Sequence, residues 1–332
     1  MLYKKSPNGI IECFLCAHFC KIADGKFGFC GVRQQKEGKL YTHAYGEVIA
    51  SHVDPVEKKP LYHFLPGSLS YSIATRGCNF KCGFCQNWQI SQLAVKSGTG
   101  GGSCELKPEE VVREARKNKC KSISYTYTEP TIFFEYAYDT SRLAKKEGIY
   151  NIFVTNGFMT KQMLEAAHPF LDAANVDLKT FSDETYKKVC HGRLQPVLDS
   201  IKLMHKLNIW VEITTLVIPG MNDSDAELSK IADFIASVDT EIPWHVSGFH
   251  PDYKFVDAAP TPVSALKKAE AIGKKAGLHH VYMGNVWGES PQTLCYGCKE
   301  VLVKRSGYII EKNSIESGKC PKCGKLIKGV WQ

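Results

Sequence analysis

The chain has 332 residues, 44% hydrophobic and 23% charged, which is enough apolar material for one sizeable core with small modules attached and excludes a disordered chain. Residues 1–14 carry Lys4, Lys5 and Glu12 without a signal peptide's apolar run, and no stretch of membrane length follows, so a cytoplasmic protein with no membrane partner is expected. The formal charge of +8 falls to about +3 if the cysteine sets bind metal, so basicity points only weakly to nucleic acid.

Fourteen cysteines in a chain of this length, without an export signal, read as metal-bound thiolates rather than a disulfide framework. Cys13, Cys16, Cys20 and Cys30 come first, a candidate zinc or iron–sulfur site for which His18 could compete as a ligand. Residues 40–50 alternate like a short strand, and residues 58–67, interrupted by Pro60 and Pro66, read as a connector. That connector closes an N-terminal Cys-rich module at residues 1–67.

From residue 68, β-rich runs at 69–74, 122–127, 150–155, 174–178, 210–218 and 244–249 alternate with helix candidates at 108–118, 131–147, 161–168, 196–207, 224–238 and 262–276. Six such βα units over residues 68–288 predict an α/β fold, a partial or complete parallel barrel whose chemistry gathers where strands end. Residues 97–103 are too glycine-rich for an element interior and read as a lid or a surface connection. His245 and His250 flank the sixth strand, where a histidine is ordinarily structural.

Cys78, Cys82 and Cys85 fall directly after the first of these strands, with Gly77 and Gly83 giving the backbone freedom to fold around a bulky group. Three thiolates on a [4Fe–4S] cubane leave one iron open for chemistry, whereas an electron-transfer cluster is ordinarily closed by a fourth. The bland alternative is a zinc knuckle completed by a distant ligand. At the far end, Cys295, Cys298, Cys320 and Cys323 form two short knuckles, a tetrathiolate site for zinc or a rubredoxin-like iron in a module at 289–332. Cys104, Cys120 and Cys190 stand alone.

The central cysteine spacing, with Phe84 and then Gln86-Asn87, resembles the radical S-adenosylmethionine (SAM) superfamily. Residues 13–33, Lys59-Pro60-Leu61, residues 125–130 and the final cysteines resemble more closely the radical SAM proteins of the AmmeMemoRadiSam system, relatives of pyruvate formate-lyase activating enzyme. The resemblance implies a partial (β/α)6 TIM-type barrel of the radical SAM type with small Cys-rich N- and C-terminal metal-binding modules. It also implies a cluster on Cys78, Cys82 and Cys85 that binds SAM and receives one electron from a flavodoxin- or ferredoxin-type donor. SAM is then cleaved to methionine and a 5′-deoxyadenosyl radical that abstracts hydrogen from an unidentified substrate, a protein among the candidates.

The SAM contacts implied are Phe84, Asn87, Tyr127, Thr128, Glu129, Asn156, Asp177, Lys179 and Ile218, with Tyr127 and Thr128 standing where the superfamily usually has two glycines. A glycyl-radical enzyme activase is the alternative activity, and AMMECR-type or Memo-like proteins are the partners implied by the family's name. A reading of another class is a non-catalytic metal- or nucleic-acid-binding protein presenting Lys304, Arg305 and Lys322, which leaves the central cysteines without a purpose.

Overall fold

Alternate residues along Trp210–Val217 have different tasks, and the rest of the fold follows from that division. Thr214 and Leu216 face an interior cavity, while Val211 and Ile213 join the apolar core. The computed structural model describes residues 1–92, 104–286, 288 and 290–332; the glycine-rich 97–103 segment lies outside them.

The main sheet comprises β1 (Glu47–Pro55), β2 (Leu69–Thr75), β3 (Cys104–Glu105), β4 (Ser122–Tyr125), β5 (Tyr150–Thr155), β6 (Ala173–Asp177), β7 (Trp210–Val217), β8 (Trp244–Gly248) and β9 (Val281–Gly284). Their order is β9-β8-β7-β6-β5-β4-β2-β1-β3. All neighbours from β2 to β9 pair in parallel, and β1 runs antiparallel to β2 and β3.

Between the parallel strands lie α1 (Pro108–Lys117), α2 (Phe134–Lys146), α3 (Lys161–Ala167), α4 (Leu194–Lys206), α5 (Asp225–Val238) and α6 (Val263–Lys275). Thr160 and Ser224 cap α3 and α5 by accepting from the backbone N–H groups of Met163 and Glu227. Val111, Ala115, Ala137, Ile201, Met204, Ile231, Ile235 and Leu266 bury the helices' apolar faces in the core that also holds Ile123, Ile213 and Val246.

The six βα units are present, and β9 adds a seventh parallel strand that the sequence pattern did not disclose. Residues 40–50 are divided rather than continuous: Lys39–Thr42 belongs to a separate hairpin with Arg33–Lys36, and Glu47–Pro55 joins the main sheet.

Residues 58–67 are more than a connector. Glu212 accepts from the backbone N–H groups of Tyr62 and His63 at 3.0 and 2.8 Å, Asn175 donates to the Pro60 carbonyl at 2.8 Å, and Leu61, Phe64 and Leu65 are buried. The segment plugs the end of the barrel where the parallel strands begin. Outside it lies a three-stranded antiparallel ribbon, Thr293–Leu294, Val301–Ser306 and Ile309–Asn313. Arg305 of the ribbon donates to the Tyr62 carbonyl at 2.9 Å and stacks 4.3 Å from the Tyr62 ring centre.

At the opposite end of the sequence, Tyr3–Lys5, Ile11–Cys13 and Lys21–Ile22 form a small antiparallel sheet. It is tied to the barrel by Thr160 donating to the Phe14 carbonyl, Arg193 to the Ala17 carbonyl, and an Arg33–Glu135 ion pair.

Candidate functional site

One cavity runs into the barrel from the loop after β2, and Cys78, Cys82 and Cys85 all line it. The phenylalanine rings of this loop turn inward: Phe80 meets Phe158 at 5.1 Å and Tyr186 at 6.0 Å, and Phe84 meets Phe255 at 5.8 Å. The glycines answer to neighbours as well as to turn geometry. A Cβ on Gly77 (φ +92°) would come within 3.0 Å of the Cys30 carbonyl, and one on Gly83 within 2.8 Å of the Phe255 ring. Trp88, stacked 5.1 Å from Tyr253, and Gln86, hydrogen-bonded with His250, fasten this loop to the one after β8.

Burial pushes the Cys78 and Cys85 thiols up, and contact with Cys190 together with burial does the same for Cys82. As free thiols they resist ionisation; a bound cation reverses that preference, because the thiolate is the ligand. The donor set fits an iron–sulfur cluster. Three sulfurs face one cavity, the Phe80 N–H donates to Cys78 Sγ at 3.3 Å, and polar groups continue beyond the sulfurs into the barrel.

Seven of the nine contacts implied for SAM line this cavity: Phe84, Asn87, Tyr127, Thr128, Asn156, Asp177 and Lys179. Lys179 Nζ lies 3.0 Å from Asp177 and over the Phe84 ring. Burial alone would lower its ammonium, but the Asp177 carboxylate beside it outweighs burial and holds the group charged. Asn156 lines the cavity while its amide is committed to Asn79 Oδ1 at 2.7 Å and to the Phe158 N–H at 3.0 Å.

Glu129 and Ile218 are placed differently from the expectation. Neither lines the cavity. Glu129 is fully buried and accepts from Thr131 N at 3.0 Å, Thr131 Oγ1 at 2.6 Å, Thr155 Oγ1 at 2.8 Å and Asn156 N at 2.8 Å. Four donors occupy both oxygens, so the carboxylate fastens the end of β5 to the turn after β4. Ile218 sits in the apolar core, its N–H donating to Asn222.

Other residues at or beside the cavity carried no site role in the sequence reading, which took His245 as structural. His245 is buried, lines the cavity and shares a 2.7 Å hydrogen bond with the fully buried Glu212; its alternation with Ser247 on β8 is the signal that both point inward. Lys59 and Asp54 form a buried pair beside Tyr127, concealed in the sequence because one residue is in the apparent connector and the other before it.

Cys295, Cys298, Cys320 and Cys323 bring their sulfurs within 4.8 Å of one another, as a single tetrahedral ion requires. Cys13, Cys16, Cys20 and Cys30 line a second, small cavity against Ile132, which His18 does not line; its Nε2 instead bonds the Asn79 carbonyl at 2.7 Å. No helix among the described residues is long and apolar enough to cross a membrane.

Residues 72–235 match the family described as the radical SAM superfamily. Over 333 aligned residues the chain is 42% identical to an uncharacterised protein of Methanocaldococcus jannaschii, with 98% of each chain covered. It is 23% identical to the pyruvate formate-lyase 1-activating enzyme of Escherichia coli K12, with 61% of this chain and 87% of that one covered. A radical SAM methyltransferase from Sphaerobacter thermophilus has a similar fold, with a TM-score of 0.51, 15% identity, and 66% and 67% of the two chains covered.

Proposed function

The chain belongs to the radical SAM superfamily, and on that premise we propose that Cys78, Cys82 and Cys85 hold a [4Fe–4S] cluster and that the adjoining cavity receives SAM. When bound, such a cluster supplies the electron that splits SAM into methionine and a 5′-deoxyadenosyl radical. The observation that carries this reading is the convergence of three sulfurs and a charged Lys179–Asp177 pair on one cavity.

The chain's own residues do the positioning. Lys179 offers a cation to a carboxylate, and Asp177 and Asn87 offer polar contacts for the ribose and amino groups. Phe84 provides an apolar wall. Glu129 holds Asn156, and Asn156 in turn holds the cysteine loop through Asn79. The plug at residues 58–67 closes the far end of the barrel to water, which protects a radical from quenching.

Relation to an activating enzyme supports a protein substrate, whose hydrogen is abstracted at the cavity mouth, and a flavodoxin- or ferredoxin-type donor in the cytoplasm. A backbone glycine of a glycyl-radical enzyme is one such substrate; membership of the AmmeMemoRadiSam system would instead make an AMMECR-type or Memo-like protein the partner. The test is anaerobic reconstitution with iron and sulfide, reduction with dithionite, and assay of SAM for 5′-deoxyadenosine. Formation of the nucleoside by the native chain and its loss in Cys82→Ala supports the reading; an intact, reducible cluster that leaves SAM uncleaved counts against it.

A further inference from the structure

We propose that Cys13, Cys16, Cys20 and Cys30 hold a second [4Fe–4S] cluster, closed by four thiolates, against the loop that carries Cys78. Cys13 ends a strand of the small N-terminal sheet, Cys16 and Cys20 lie in the turn before its last strand and Cys30 after it, yet all four line one cavity, whose remaining wall includes Ile22 and Ile132. That cavity is separate from the one assigned to SAM.

Sulfur spacing distinguishes a cluster from a single ion. A tetrahedral zinc with bonds of about 2.3 Å draws its sulfurs to about 3.8 Å from one another. The C-terminal cysteines have that spacing, with Cys295 and Cys323 at 3.5 Å and Cys298 and Cys320 at 3.7 Å. Theirs is the one group of three or more candidate ligand atoms among the described residues gathered within 4.8 Å. The N-terminal sulfurs share a cavity without closing to that distance, and so do the central three. A cubane places each thiolate on a different iron, which spreads the sulfurs over its corners.

Arg33 supplies an independent indication. It is 3% exposed, lines the cysteine cavity, and gives Nη1 and Nη2 to Glu135 at 2.7 and 2.9 Å. Its Nε is buried with no partner, although buried donors are nearly always satisfied. A tetrathiolate cubane is anionic, about −2 in its oxidised form, and its sulfides accept hydrogen bonds of this kind. Phe29 N–H already donates to Cys20 Sγ at 3.4 Å, matching the Phe80 bond to Cys78 in the central set.

The two cysteine loops also touch. The Cys30 carbonyl faces Gly77, the residue before Cys78, and His18 bonds the carbonyl of Asn79, the residue after it. A cluster in the N-terminal cavity therefore lies one backbone layer from the central cysteines.

The test uses the full chain carrying Cys78→Ala, Cys82→Ala and Cys85→Ala, reconstituted anaerobically and read by Mössbauer spectroscopy with iron, sulfide and zinc analysis. The expected result is about four iron and four sulfide per chain with a [4Fe–4S] spectrum, lost when Cys16→Ser and Cys20→Ser are added. Sulfide counts only clusters, so a mononuclear iron at the C-terminal site does not confuse the reading. Two zinc ions per chain, or no bound sulfide, would overturn the assignment. If circular dichroism shows that the triple variant does not fold, the native chain decides: about eight sulfides support the second cluster and about four refute it.

Discussion

Asp54 accepts a hydrogen bond from Lys59 Nζ at 2.6 Å, with the two side chains only 6% and 1% exposed, and the Tyr127 hydroxyl donates to the same carboxylate oxygen. Lys58 adds a third donor at 2.9 Å. Tyr127 has φ +61°, a region ordinarily left to glycine, at a position where the superfamily usually has one. Its ring lies 4.6 Å from the Lys59 ammonium, so one residue links the buried pair to the cavity wall.

Replacing Asp54 by Ala leaves the Lys59 ammonium buried without its counter-charge. Removing one partner of a buried pair costs about 3–5 kcal/mol, so a large fall in stability is expected in chemical denaturation. Tyr127→Phe removes only a donor to a charged acceptor and keeps the ring, so its expected cost is smaller, about 1.5–3 kcal/mol. Equal losses in the two variants would argue against the charge pair as the dominant element.

The same carboxylate gives the fold an acid sensitivity. Burial alone would raise the Asp54 carboxyl, but the hydrogen bonds from Lys59, Tyr127 and Lys58 outweigh it and hold the group well below the usual carboxylate range. With the folded value depressed, the contribution is present above the unfolded value of about 3.9 and is lost as pH falls through the folded value. Melting temperatures measured from pH 7 to pH 3 should fall more steeply below about pH 4 in the native chain than in Asp54→Asn.

Much of this architecture is legible in the sequence, because helical period and β-rich runs survive one residue at a time. The three-cysteine spacing and the paired C-terminal knuckles are equally local. What is not local is not legible. Glu129 looks like a ligand contact beside Tyr127 and Thr128, and only the fold brings Thr155 to one of its oxygens and Asn156 to the other. The run at 58–67 has a loop's composition, yet Glu212, far along the chain, meets its N–H groups and makes it a plug. β9 has its two buried residues, Val281 and Tyr282, side by side and then two half-buried ones, so its run shows no alternation.

Glu129 accordingly has a structural effect that precedes any effect on ligand. Burial raises its carboxyl while four donors work against that rise, and Glu129→Ala would leave those donors unmatched at roughly 1–3 kcal/mol for each buried group. A lowered melting temperature is expected in the chain without SAM. A variant of native stability whose only defect is SAM binding would instead point to direct contact.

The C-terminal ribbon should transmit metal loss to the barrel. Its small core is Leu302, Val303, Ile315 and Ile327 around the cysteines, and from it Arg305 reaches Tyr62 and Val330 N–H donates to the His63 carbonyl at 2.7 Å. Structural tetrathiolate ions contribute folding energy outright. Chelation or Cys298→Ser is therefore expected to release one metal ion and raise hydrogen exchange in residues 59–65 as well as in the ribbon. Faster exchange confined to the ribbon would show that the plug stands without it.

Lys179 separates the proposed SAM contact from scaffold. Its backbone N–H donates to the Tyr186 hydroxyl at 3.1 Å and does not depend on the side chain, whereas its ammonium faces the cavity beside Asp177. Lys179→Met keeps most of the apolar stem against Phe84 and removes the charge. Loss of a charged hydrogen bond of about 1.5–3 kcal/mol weakens SAM binding roughly ten- to a hundredfold. Equilibrium binding of SAM to the reconstituted protein measures this directly, and the iron and sulfide content should stay at the native level, because the side chain is not a cluster ligand. Unchanged affinity would remove Lys179 from the site and leave its pairing with Asp177 as the whole of its role.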